Sequence, residues 1–145
     1  MNKPLLGWVL GLALLGTAPA RGEEIVVVVH RDAPVSRLSA QEIKDIYLGE
    51  RAYWGNQRIN PISYGANKAI QDEFLRRVVH TDPNTYKRYW IKRIFREGGV
   101  PPARIGSGEE LINSVANTQG AIGFLFAREL PAAGDRVKAV YHLPD

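Results

Sequence analysis

The chain has 145 residues, of which 45% are hydrophobic and 23% charged, and a formal net charge of +4. That is enough for one globular domain and not comfortably for two; the 14 glycines and 9 prolines supply turns but are too few for a disordered chain. With no cysteine, a disulfide framework and a thiolate metal site are both excluded.

The N-terminus carries Lys3, then an apolar run from Leu5 to Leu15, then the small-x-small triplet Ala18-Pro19-Ala20. This pattern predicts a cleaved secretory signal peptide over 1–20. The run is too short to span hydrocarbon comfortably, so no stable membrane span is expected after cleavage. The expected product is an exported, periplasmic chain of residues 21–145 forming a single domain. Loss of Lys3 takes its charge from +4 to +3.

Glu24 to His30, EIVVVVH, is a β-branched run without alternation, which suits a strand covered on both faces. Arg31 to Arg37 reads as a loop. Ser39-x-x-Glu42 is a capping box, flanked by Leu38 and Ile43 as a hydrophobic staple. It opens a helix whose buried face is Ile43, Ile46 and Tyr47 and whose terminator is Gly49. Glu50 to Arg58 is a loop holding Trp54 and Gly55, and Ile59 to Tyr64 is a short strand. Asn67 is placed to cap the next helix, where Ile70, Phe74 and Val78, with Leu75 and Val79, form a core face. Asp82-Pro83 starts another helix with an apolar stripe of Tyr86, Trp90 and Ile94, widened by Tyr89 and Phe95. Gly98-Gly99 and Pro101-Pro102 end it. Ser107-x-x-Glu110 is a second capping box, and Leu111, Ile112, Val115 and Ala116 give its helix a buried face. Gly120 to Phe126 and Val137 to Leu143 are the last strands; the glycines of the former imply close approach by a neighbour. Strands alternating with helices predict an α/β fold, a three-layer sandwich with a mostly parallel central sheet.

Two segments carry a family resemblance. In the first, Leu38, Ser39, Glu42, Ile43, Ile46, Leu48, Gly49, Trp54, Ile59 and Pro61 fall in the order found in the phosphate-binding family of type 2 periplasmic binding proteins. In the second, Val115, Thr118, Gly120, Ala121, Ile122, Gly123 and Phe124 resemble that family's GAIGY segment. The resemblance implies the fold of one lobe of a two-lobed binding protein, in the periplasm. It departs at one point. Where the family has an Arg and a Ser-Gly-Thr turn on the phosphate, this chain has Ser63-Tyr64-Gly65-Ala66-Asn67-Lys68.

The candidate ligand-binding residues are Tyr64, Gly65, Ala66, Asn67 and Lys68. A strand turning into a helix presents free N–H groups and the positive end of the helix dipole to an anion. Lys68 adds a cation, and Tyr64 and Asn67 could donate hydrogen bonds; the bland alternative is an ordinary turn with Lys68 in solvent. Gly106-Ser107-Gly108 looks like a phosphate nest, but Glu109 and Glu110 in the first turn oppose an anion. Arg88, Lys92 and Arg96, with Lys87 and Arg93 nearby, form a basic stripe. It reads first as a solvated helix face and second as a dock for an acidic partner or membrane surface. Trp54 and Trp90 read as core or loop anchors. His30, His80 and His142 lack ligand spacing, so no metal and no cofactor is expected. No nucleophile elbow, His-Glu-x-x-His or P-loop occurs, so an enzyme is not expected; nor is a nucleic-acid partner for an exported protein. Two readings stand. One is a solute-binding-like domain for phosphate or another small anion, in transport or sensing. The other is an envelope interaction module that keeps the fold without a small ligand. On the first reading one lobe cannot close on a ligand, so an envelope partner or a second copy is expected to supply the second wall.

Overall fold

Ile25 to Val29 are fully buried, and the strand they form, β1 (Ile25–His30), lies between two others in a five-stranded sheet. The computed structural model describes residues 23–66 and 68–144. The expected signal peptide over 1–20 and the expected cap at Asn67 lie outside the described residues.

The remaining elements follow as α1 (Ala40–Tyr47), β2 (Tyr53–Trp54), β3 (Gln57–Arg58), β4 (Asn60–Tyr64), α2 (Ala69–Phe74), a π-helical turn (Leu75–Val79) and α3 (Pro83–Glu97). The chain continues through β5 (Ala103–Ile105), α4 (Gly108–Asn117), β6 (Ala121–Phe126), a 3₁₀ segment (Ala127–Ala133) and β7 (Val137–Leu143). The sheet order is β5-β4-β6-β1-β7. β4 pairs parallel with β5 and β6, while β1 pairs antiparallel with β6 and β7. Four strands therefore run one way and β1 runs against them, so the sheet is mostly parallel, as expected. Helices cover both faces. Phe124 of β6 packs under Tyr47 of α1 and Phe74 of α2. The next residue back, Gly123, faces the other side, where a Cβ would meet the Leu111 side chain of α4 at 2.7 Å.

Local chemistry explains most boundaries. Ser39 caps α1, and the capping box is complete: the Glu42 amide donates to Ser39 Oγ at 3.1 Å and the Ser39 amide to Glu42 Oε2 at 2.7 Å. That backbone bond, with Arg51 at 2.9 Å behind it, holds the Glu42 carboxyl below its usual range. The staple residues Leu38 and Ile43 are both buried. The second capping box is only half made. Ser107 Oγ accepts from the Glu110 amide, but the Glu110 carboxylate takes the Gly106 amide instead of that of Ser107.

Four further features differ from the sequence reading. The loop before β4 contains a hairpin, β2–β3, turned at Gly55 with φ +62°. The helix after Lys68 changes to π geometry at Leu75. Its apolar residues recur every four positions, and the wider π turn keeps residues at that spacing closer to one face than an α-helix does. β5 is an added edge strand of three residues.

The fourth difference is the largest. α3 begins as predicted, with Asp82 accepting from the Thr85 amide and Pro83 in the first turn. Its expected core stripe is buried only at Trp90, with Tyr86 half-buried against the core. Ile94 is 41% and Phe95 86% exposed, and Trp90 is the one buried residue of the helix. α3 is held instead by polar tips. The Tyr86 hydroxyl donates to the Tyr47 carbonyl at 2.6 Å, the Tyr89 hydroxyl to that of Leu48 at 2.6 Å, and Arg93 Nη2 to that of Gly49 at 2.8 Å. These are carbonyls that the C-terminus of α1 leaves without helical partners. Positions 86, 89 and 93 share one helix face, so α3 serves as a side-chain clamp on the end of α1. Burial pushes the Tyr86 phenol up to about 12. Arg93→Ala is expected to destabilise the fold by about 1–2 kcal/mol, from one charge-assisted bond and lost packing on Trp90. Amide exchange should then rise in α3 and the last turn of α1 while β1 and β6 keep their protection; uniform exchange would contradict the clamp.

Candidate functional site

β4 delivers the candidate turn to one edge of the sheet, where β4, β5 and β6 all end. In open α/β sheets that edge is where ligands meet the fold. The pairing of β4 with β6 covers Asn60 and Pro61, and beyond them the two strands are bridged by side chains. The Tyr47 hydroxyl donates to the Ile62 carbonyl at 2.9 Å and lies 3.3 Å from that of Ile122. The Tyr64 hydroxyl donates to the Phe124 carbonyl at 2.9 Å.

Tyr64 is therefore corrected as a hydrogen-bond donor to a ligand. Its ring is buried against Phe124, its hydroxyl satisfies a β6 carbonyl that β4 does not reach, and its amide donates to Gln71 Oε1 at 3.0 Å. Burial, and next the charge of Glu129, push its phenol well above the usual range. The Gly65 amide is also committed, to the Ile105 carbonyl at 3.0 Å. What the turn offers outward is Ala66 and Lys68, both exposed. Lys68 stands at the N-cap of α2 in extended geometry with no side-chain cap bond. A Cβ on Gly65 would meet nothing within 4 Å, so the turn opens directly to solvent. Asn67 is outside the described residues.

The neighbouring turn, Gly106 to Gly108, is dressed with acids. Glu110 accepts from the Gly106 amide at 3.0 Å, and a Cβ at Gly108 would overlap the carboxylate of Glu129. Glu129 also accepts from the Phe126 amide at 3.3 Å. A cation on one turn and carboxylates on the next divide this edge by sign.

Two contributors escaped the sequence reading. Gln71, 8% exposed, ties the helix back to the end of β4; a polar residue beside Ile70 in an apolar helix was the available signal. Glu129 was hidden because the 3₁₀ segment carrying it has no clear periodicity. Among the described residues, no three His, Asp or Glu side chains come together as a metal-ligand set, and no helix is long and apolar enough to cross a membrane. Trp54 and Trp90 are both buried, as loop and helix anchors.

No protein-family model matches the chain, and none of the curated proteins does. Solved structures do. One is a protein from Clostridium perfringens assigned as a phosphate ABC transporter substrate-binding protein and solved with bound phosphate, at 21% identity and a TM-score of 0.66. A second is an ABC-type phosphate transport receptor from Vibrio cholerae, at 18% identity and 0.62. A third is PstS from Borrelia burgdorferi, at 12% identity and 0.65. Each similarity covers 81% of this chain and 44%, 45% and 46% of the respective neighbour, so the chain spans less than half the length of these structures. At such identities the likeness is one of fold: this chain has the α/β architecture of part of a phosphate-type solute-binding protein.

Proposed function

We propose that this chain is an exported, non-catalytic solute-binding-like domain that meets a small anion, phosphate or a close analogue, at the turn Gly65 to Lys68. The observation that carries this is the placement of an open, lysine-bearing turn where parallel strands end, in a fold whose neighbours include a phosphate-bound protein. Residues 21–145 would act as one domain in the periplasm once 1–20 is removed. Binding would be weak. A single lobe encloses only one side of a ligand, Tyr64 and Gly65 spend their amides internally, and no arginine stands on the turn. A partner or a second copy would supply the other wall.

Calorimetric titration of the chain from Arg21 with phosphate, then sulfate, tests this. Saturable heat is expected, and Lys68→Ala should weaken affinity roughly tenfold or more, the worth of one charge-assisted contact. Equal affinity in the variant, or no heat at millimolar phosphate, would contradict the assignment. The second reading, an envelope interaction module without a small ligand, is favoured by one specific observation: the carboxylates of Glu110 and Glu129 on the adjoining turn.

A further inference from the structure

α3 faces the body through Tyr86, Tyr89, Trp90 and Arg93, and the opposite face is unpartnered. On that face Ile91 is 43% and Phe95 86% exposed, and Ile94, at its margin, is 41% exposed. Lys87, Arg88 and Lys92 stand among them, with Arg96 at the opposite margin, all exposed. From Pro83 to Arg96 the helix has no acid, and Glu97 reaches back to Arg93 at 3.6 Å. The result is a strip of cations and bare apolar side chains whose nearest acids are Asp82 at the N-cap, facing Arg88, and Glu97, engaged with Arg93. Isolated exposed apolar residues are ordinary, but a cluster of them beside unpaired cations marks a contact surface.

We propose that this face of α3 docks peripherally on an anionic lipid surface. The cations would meet headgroup phosphates, and Phe95 with Ile91 would enter the headgroup–acyl boundary. Charge selects this occupant. A second copy of the chain would bring the same cations face to face. A free anion would have nothing to place against Phe95 and Ile91. A lipid surface supplies negative charge and apolar depth together, and it conforms to a convex helix without a matching groove. This surface is separate from the turn at Gly65 to Lys68, so the two proposals stand or fall independently.

The test is co-sedimentation of the chain from Arg21 with vesicles, since residues 1–20 include an apolar run that would bind lipid by itself. The described residues form one continuous core and pair all five sheet strands among themselves. Vesicles of phosphatidylglycerol mixed with phosphatidylcholine should bind at low salt, and pure phosphatidylcholine vesicles should not. Binding should fall steeply with added salt. Phe95→Ser is expected to weaken it roughly tenfold, and Lys92→Glu with Arg96→Glu at least about a hundredfold. Every substituted side chain is exposed, and circular dichroism would verify the fold. Absence of binding to the anionic vesicles, or binding indifferent to both variants, would overturn the proposal. So would capture of an acidic amphipathic peptide by a chain that ignores vesicles, which would assign the surface to a protein partner.

Discussion

Replacing Phe124 by alanine is expected to lower the unfolding free energy by about 3–5 kcal/mol, the range for emptying a buried aromatic site. Phe124 is fully buried at the centre of an aromatic cluster. Its ring stacks on Phe74 at a centroid distance of 3.8 Å and stands within 5.7 Å of Tyr47 and 5.3 Å of Tyr64. These three residues come from α2, α1 and β4, so one truncation opens a cavity shared by two helices and a strand. The surrounding rings are rigid and cannot collapse into the space. Tyr47 and Tyr64 are also pinned by hydroxyl bonds to strand carbonyls, which limits relaxation further. Denaturant unfolding followed by tryptophan fluorescence reads the loss directly. A cost below about 1 kcal/mol would mean that the cluster does not hold the helical layer to the sheet.

The second large effect is expected at Gly120, and it comes from the backbone. Gly120 has φ +79°, and a Cβ there would overlap the Arg58 carbonyl, a main-chain atom with little freedom to move. The Gly120 carbonyl accepts from the Asn60 amide at 2.8 Å, and Asn60 Nδ2 donates to the Gln119 carbonyl at 3.0 Å. This junction sets the register of β4 beside β6. Gly120→Val would force a β-branched residue into the left-handed region and displace the β2–β3 hairpin as well. A loss of about 3 kcal/mol or more is expected, read as a lower midpoint in thermal or denaturant unfolding. Gly65→Ala is the contrasting control. With open space around it, the change should stay within about 0.5 kcal/mol. Equal tolerance at both positions would contradict the close approach at Gly120.

Much of this fold was legible in the residues because its boundaries are chemical. Ser39 with Glu42 and Asp82 with Pro83 both start helices where their chemistry requires, and the β-branched run at Ile25 to Val29 lies buried between two strands. The glycines of the GAIGF segment meet Leu111 and Arg58 as close approach demands. The largest misreading has a plain cause: periodicity reports that a face is apolar, not what covers it. α3 has the spacing of a core helix, yet its phenol hydroxyls and Arg93 find carbonyls at the end of α1, and Ile94 and Phe95 remain outside. β5 and the β2–β3 hairpin are too short to show alternation at all.

The strand-to-helix turn was legible as local structure, since β4 ends at Tyr64 and α2 begins at Ala69, but the partners of its residues were not. The role of Tyr64 was misread because a tyrosine at the end of a strand can face the ligand edge or the core, and only the divergence of β4 from β6 decides between them. The acids beside the turn come from Glu110 and Glu129, far apart in sequence, and their proximity is a product of the fold alone.

The central claim, an anion at the Gly65 to Lys68 turn, is tested most directly by titrating phosphate into isotope-labelled protein and following each backbone amide by NMR. The account predicts saturable shifts concentrated at Ala66 to Ile70, with the α3 amides unmoved. Shifts centred on α3 and its arginines, or none at the turn, would contradict it.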